Sequence, residues 1–214
     1  MRGALGEAIV AALPVALVYF SGWAYLTSYL GEFGIDATQI DVSFTTVLVY
    51  AFVPLKAWYI LLMLLVIVAL VLAALLFELH SDDQHKGRKT TASALESLAA
   101  VAVVILLFAI KSAAGGAAKE MAHDVWKGFK SQSVAMLGDA KVNADAVALY
   151  DACRHERRLR QIIGLPNQLF LLCRSNVDPC NRGTLFVVNN EGRIIYIADK
   201  IREDIDDEGT ICTT

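Results

Sequence analysis

One run of twenty-one residues, from Ala57 to Phe77, contains no charged side chain and consists almost entirely of aliphatic and aromatic residues. At about 1.5 Å of rise per residue, a helix of this length measures roughly 30 Å, the thickness of the hydrocarbon core of a bilayer. The run therefore predicts a transmembrane helix, and it excludes the usual composition of a soluble domain.

The charged residues divide the chain near Lys111. Only five of the 19 Lys and Arg residues precede that position, and the other fourteen, beginning with Lys111 itself, lie in the second half together with most of the acidic residues. The second half thus has the composition of an ordinary soluble domain. Its basic and acidic residues are balanced and the net charge is -3, so we expect no nucleic-acid partner.

Two more apolar runs flank the central one. Residues 8–30 resemble a signal peptide at their start, but they continue through aromatic residues without a small-x-small cleavage site, so we expect a retained helix. Residues 92–114 form the third candidate. The central helix extends over 43–78 with a break near Pro54, where a kinked or an interfacial helix is favoured over a re-entrant one.

These runs predict an integral membrane α-helical fold with three transmembrane helices and a small C-terminal α+β domain. We assign residues 1–114 to the transmembrane region, 115–132 to a juxtamembrane amphipathic helix, and 133–214 to the α+β domain with its acidic tail. Within the α+β domain we expect a strand at 133–137, a helix from Asn143 through Ile163, and strands at 168–173, 184–189 and 193–197. The residues from Asn189 to Gly192 are typical of a hairpin turn between the last two strands.

Two stretches suggest contacts within the membrane region. The polar end of the first helix, between Tyr19 and Ser28, fits either a helix interface or the headgroup layer, and the headgroup layer is slightly favoured. Small residues recur on the third helix at a spacing that permits close packing with a second copy or with neighbouring helices. This predicted helix-packing interface comprises Ala109, Ser112, Ala113, Gly116 and Ala117.

The loop charges predict the orientation. The loop between His80 and Thr91 carries three basic residues and the loop between Gly31 and Ser43 carries none, which places the former in the cytoplasm. With three crossings the C-terminal domain then lies outside the cytoplasm. Lys residues that follow the third helix argue for the opposite side, and a fourth crossing would reverse the assignment.

All four cysteines lie in the C-terminal half: Cys153, Cys173, Cys180 and Cys212. Two disulfides in an oxidising compartment and four reduced, buried thiols both fit this number. If disulfides form, the spacing favours a small loop closed by Cys173 and Cys180, with Cys212 attached to Cys153.

A basic cluster lies on the predicted helix, formed by Arg154, Arg157, Arg158 and Arg160. It fits a solvated helix C-terminus, and it is also a candidate patch for an anion or an acidic partner. We find no phosphate-binding loop, no nucleophile elbow and no zinc spacing in the sequence, so we expect no enzyme, no cofactor and no metal.

The expected function is recognition. The C-terminal domain would bind a partner protein or ligand, while the helices form a homo-oligomer in the cytoplasmic (inner) membrane, as in a sensor or an accessory subunit. One alternative is a pore-forming or membrane-disrupting effector. Another is an immunity-type protein that blocks a membrane-acting partner.

Overall fold

The computed structural model describes residues 2–79, 86–129 and 144–202. Five α-helices precede or flank one antiparallel sheet, which confirms the mixed helix and sheet class. The helices are α1 (Arg2–Gly31), α2 (Phe44–Leu55), α3 (Trp58–Leu79), α4 (Lys86–Lys127) and α5 (Ala144–His155), and the strands are β1 (Leu159–Gly164), β2 (Gln168–Arg174), β3 (Arg182–Asn189) and β4 (Ile194–Ile201). The strand expected at 133–137 and the acidic tail from 203 lie outside the described residues.

Among the described residues, two helices are long and apolar enough to cross a membrane. They are Trp58–Leu76 within α3 and Ser97–Lys127 within α4. The crossing predicted for residues 8–30 falls in the 30-residue helix α1, which is not among these two, and it stays a prediction. The length and composition of α3 and α4 support membrane association.

The chain forms two compact units, residues 1–26 with 47–117 and residues 27–46 with 118–214. In the first unit, the polar end of α1 packs on α2. Ser21 is fully buried, and its hydroxyl donates to the Ala51 carbonyl at 3.0 Å. Gly22 lies against the Val47 carbonyl, where a Cβ would overlap it. These residues of α1 therefore form a helix interface, the less favoured of the two predicted alternatives, and the predicted position in the headgroup layer stays a prediction.

Helices α3 and α4 share a core in the first unit. It contains the buried residues Ile60, Ile67, Leu106 and Ile110. Of the predicted helix-packing interface, Ala109 and Ala113 pack at the edge of this core, Ala117 is half-buried, and Ser112 and Gly116 are exposed. The helix already begins at Lys86, so the predicted loop ends earlier than Thr91.

The second unit contains the sheet, whose strands follow in the order β1, β2, β3, β4, each antiparallel to its neighbour. The turn after Asn189 joins the last two strands, as predicted, with Gly192 at a φ of 78°. Helix α5 covers one face over a core of Tyr150, Cys153, Leu159, Leu171, Cys173, Phe186 and Val188.

Helix α5 ends eight residues earlier than we expected. The Arg158 N–H donates to the Cys153 carbonyl and the Arg157 N–H to the Arg154 carbonyl, which closes the helix with Arg157 at a φ of 56°. Glycine is the usual residue in this left-handed position, so the sequence contains no stop signal. The apolar residues Leu159, Ile162 and Ile163 consequently belong to β1 and not to the helix.

Aromatic residues from the ends of α1 and α4 lie on the other face of the sheet. The Tyr29 hydroxyl donates to the Ile162 carbonyl at 3.1 Å. The rings of Phe33 and Trp126 stack with centroids 6.1 Å apart. The Trp126 ring also approaches Gly183 of β3, where an added Cβ would lie 3.3 Å from it. The sheet is thus covered on both faces within this unit.

A disulfide joins Cys153 of α5 to Cys173 of β2. The expected pairing of Cys173 with Cys180 is therefore wrong: β2 presents Cys173 on the face that α5 covers. Cys180 is disulfide-bonded as well, and no described cysteine is free. Cys212 lies outside the described residues.

Candidate ligand site

A pocket of about 450 Å³ lies in the second unit at the edge where β2 and β4 end and β3 begins. The strand register explains this position, since Gly183 pairs with both Arg174 and Lys200. The pocket is lined by Leu149, Arg158, Cys173, Arg174, Ser175, Asn176, Arg182, Gly183, Thr184, Asp199, Lys200 and Ile201.

Positive charge dominates this basic pocket. Three arginines and one lysine line it, against a single carboxylate, that of Asp199. The Asp199 Oδ1 accepts a hydrogen bond from the Thr184 hydroxyl at 3.0 Å. The Lys200 ammonium donates to the Gly34 carbonyl at 3.3 Å. A surplus of cations in a concave site favours an anionic ligand.

Arg158 is held in place on the pocket wall. Its Nη1 donates to the Arg174 carbonyl at 2.5 Å, and its Nη2 lies 2.6 Å from Glu156 Oε2. Nη1 also lies 3.4 Å from the Cys173 sulfur, beside the disulfide. These contacts keep the guanidinium from rotating freely, so little side-chain entropy remains to be lost when an anion binds.

Arg174 is the one charged side chain that is buried among the described residues, with 1% of its surface exposed. Its Nη1 donates to the Trp126 carbonyl at 3.3 Å, and its Nε has no hydrogen-bond partner. Burial lowers the pKa of this guanidinium, and the nearby Arg160 and Arg158 lower it further. A buried cation beside two other cations is costly unless an anion compensates it.

Only Arg158 of the predicted patch lines the pocket. Arg154 lies in α5, Arg157 is exposed in the turn after it, and Arg160 donates to the Arg157 carbonyl at 2.6 Å. Burial lowers the pKa of Arg160, whose Nε is unpartnered. The four arginines lie on different elements, α5, the turn after it and β1, because the helix that was expected to carry them ends at His155.

The sequence reasoning missed Arg174, Arg182 and Lys200. Pairing the residues of the two predicted hairpin strands outward from their turn would have placed Lys200 beside the start of β3. An arginine directly after the apolar run 168–173 was a second signal, because a charge at the end of a buried strand needs a partner. Neither signal identifies Arg158 as their neighbour, since its position depends on the early end of α5.

A second, smaller pocket of about 270 Å³ lies in the same unit. It is lined by residues 31–34, Trp126, Lys200, Ile201 and Arg202. Lys200 therefore borders both pockets. Among the residues that the structure describes, no group of three His, Cys, Asp or Glu side chains is placed to hold a metal ion.

Comparison with protein-family models, with curated proteins and with solved structures found no match for this chain. The functional argument therefore starts from the basic pocket and from the helices.

Proposed function

We propose that this chain is a non-enzymatic multi-pass protein of the cytoplasmic (inner) membrane whose C-terminal α+β domain recognises a ligand or protein partner, as a sensor or an accessory subunit does. The observation that carries the recognition role is the basic pocket. Its volume falls in the range of small-molecule sites, and its polar groups converge from the turn after α5, the β2–β3 connection with its flanking strand ends, and β4.

The surfaces of α3 and α4 support the membrane part of this proposal. Large apolar side chains remain exposed along both helices, and on α3 they include Leu61, Leu62, Leu65, Val68, Leu72 and Leu76. Soluble proteins rarely expose a contiguous apolar surface of this extent. A bilayer would cover it without any further protein contact.

Contacts within the second unit support an extracytoplasmic domain. The end of α1 reaches the sheet through the Tyr29–Ile162 hydrogen bond and the following loop through the Lys200–Gly34 hydrogen bond, so we place the loop at 31–43 and the sheet on the same side of a bilayer. Crossings by α3 and α4 return the chain to that side. The loop has no Lys or Arg, which favours the outside. The disulfide favours an oxidising compartment in the same way.

Thiol labelling of intact cells tests the orientation. If the domain is outside, a membrane-impermeant maleimide labels its cysteines after treatment with an impermeant reductant, and not before. Labelling that requires permeabilised membranes would place the domain in the cytoplasm and reject this orientation.

We propose a homo-oligomer that uses the exposed face of α4. Ser112 and Gly116 are exposed there, and a Cβ added at Gly116 would meet no atom within 4 Å. Close helix packing in membranes uses such small residues. A Ser112→Cys variant should form an intermolecular cross-link, whereas Val68→Cys on the exposed face of α3 should not. Equal cross-linking of both variants would indicate random collision.

The pore alternative has less support. It needs the hydroxyls of α1 to line a path, but the buried Ser21 hydroxyl is bonded to Ala51. An immunity-type role would use the same recognition domain, and co-purification of a membrane-acting protein would favour it.

Hydrogen exchange of the full chain in nanodiscs tests recognition. Soluble and membrane extracts of the host cell are added, and amides of 174–184 and 199–202 should exchange more slowly in at least one of them. The double variant Arg182→Gln/Lys200→Gln should lose this protection. The matched variant Arg154→Gln/Arg193→Gln, which removes the same charge away from the pocket, should keep it. Without protection by any extract, the recognition role fails.

A further inference from the structure

The charges around the basic pocket do not balance. Arg158, Arg174, Arg182 and Lys200 line it, and Asp199 is the one lining carboxylate. Glu156 adds a second carboxylate through its ion pair with Arg158. Among the described residues this leaves a surplus of two positive charges around one cavity.

Arg174 makes this surplus costly. It is buried, its Nε is unpartnered, and its single hydrogen bond goes to a neutral carbonyl. Placing a cation in a protein interior without a counter-charge is energetically unfavourable. A bound anion would offset much of this cost, so the pocket favours an anionic ligand.

We propose that the basic pocket binds a small organic oxyanion with about two negative charges, a phosphate monoester or a dicarboxylate. This assignment rests on the proposed recognition function and names the ligand class of the same site. Arginine guanidinium groups match the planar edge of a carboxylate or phosphate with two parallel hydrogen bonds. The cavity of about 450 Å³ leaves room for an organic part beyond the charged groups.

The lining residues have different roles in ligand binding. Arg158 and Arg174 are held by hydrogen bonds, so they form the preorganised part of the site. Arg182 is exposed at the start of β3, and it supplies a charge that can adjust to the ligand. Ser175, Asn176 and Thr184 add uncharged polar groups that can bind further ligand oxygens.

Two other sources carry the same chemistry. One is the phosphate of an anionic lipid, since the chain has candidate membrane helices. The other is the chain itself, because the sequence continues after Arg202 with Glu203, Asp204, Asp206, Asp207 and Glu208. The experiment therefore needs a separate arm for each source.

The test uses the full chain in phosphatidylcholine nanodiscs at about pH 8, where phosphate is mostly a dianion. Inorganic phosphate and succinate are titrated while amide exchange of 174–184 and 199–202 is followed. A second arm replaces part of the lipid by phosphatidylglycerol without added anion. A third arm repeats the titration with the five tail carboxylates changed to amides.

We expect saturable protection by phosphate or succinate, weakened about tenfold or more by Arg182→Gln/Lys200→Gln. The Arg154→Gln/Arg193→Gln control should bind like the unmodified chain. Protection by phosphatidylglycerol alone would support the oxyanion site and identify a lipid headgroup as the source.

Three outcomes would overturn the assignment. They are no protection by any of the probes, equal weakening by the control variant, and binding that appears only after the tail is neutralised, which would make the tail the occupant. These failures are distinct from failure of the recognition role: a cell extract that still protects the pocket would preserve recognition and reject only the oxyanion class.

Discussion

The guanidinium of Arg174 lies at the C-terminus of α4, where its Nη1 donates to the Trp126 carbonyl at 3.3 Å. Gly128, at a φ of 85°, permits this arrangement, because a Cβ there would lie 2.9 Å from the Arg174 Cζ and Nη1. A cation at a helix C-terminus interacts favourably with the helix dipole. Arg174 therefore caps the C-terminus of α4 and also lines the basic pocket.

Two substitutions separate the roles of Arg174. Arg174→Met fills similar volume and removes the buried charge, which offsets the loss of about 1 to 2 kcal/mol when the Trp126 carbonyl loses its donor, so we expect little net change in the free energy of unfolding. Arg174→Ala also leaves a cavity and should cost about 2 kcal/mol more. Chemical denaturation of the full chain in detergent measures both values. Equal losses for the two variants would show that packing by the arginine stem contributes little.

The disulfide gives a second prediction. Replacing Cys153 and Cys173 together by Ala should lower the free energy of unfolding by about 3 kcal/mol, because a link across a sequence separation of 20 restricts the unfolded chain. Denaturation of the double variant checks this value. Mass spectrometry of a non-reduced digest checks the pairing itself, and a peptide linking Cys173 to Cys180 would contradict it.

Local patterns in the sequence predict much of this fold. The turn residues Asn189 to Gly192 between two apolar runs predicted the hairpin, and the uncharged run at 57–77 predicted α3. The predicted helix α5 was too long because Arg157 takes the left-handed conformation that normally requires glycine. That error placed Arg157, Arg158 and Arg160 on the helix, whereas they lie in the turn after it and in β1. The site depends on contacts between residues far apart in sequence, such as Arg158 with the Arg174 carbonyl, and no local pattern encodes them.

The hydrogen bonds of Asp36, in the loop after α1, lead us to predict that the stability of this loop depends on pH. The Asp36 carboxylate accepts hydrogen bonds from the Thr38 N–H at 2.9 Å and from its hydroxyl at 2.7 Å. The backbone bond first, and then the hydroxyl, lower the pKa of Asp36 below its ordinary value of 3.8. Since the pKa is lower in the folded state, this stabilisation is present above the ordinary value and is lost as the pH falls through the folded-state pKa.

Removing one of the two donors should move that pKa in a known direction. In Thr38→Val the hydroxyl is lost and the N–H stays, so the pKa of Asp36 should rise toward 3.8. Thr38→Ser keeps both donors and serves as the control. Carboxyl chemical shifts followed by NMR across the acidic range measure the change. An unchanged pKa in Thr38→Val would mean that the hydroxyl bond contributes nothing.

A pair of glycines tests the packing of α1 on α2. In Gly22→Ala the new methyl group would overlap the Val47 carbonyl, so the helices must separate and we expect a loss of about 1 to 3 kcal/mol. Gly115→Ala in α4 is the matched control, since a Cβ there meets no atom within 4 Å and alanine favours the helix. Thermal unfolding in detergent compares the two. If both variants behave alike, close approach of α1 and α2 is not required for stability.

The strongest test of the membrane assignment is a charge at the middle of α3. Leu65 is 67% exposed in the first unit, and in a bilayer its side chain would face lipid. Arginine at the centre of a membrane-spanning helix raises the free energy of insertion by about 3 kcal/mol, so Leu65→Arg should shift the insertion equilibrium roughly a hundredfold. Ile195→Arg is the control, because Ile195 is 51% exposed on β4 of the second unit. Membrane fractions extracted with alkaline carbonate measure how much of each variant is integrated. On a water-exposed helix the same change would improve solubility and leave the folded protein intact, so the two assignments predict opposite results for Leu65→Arg.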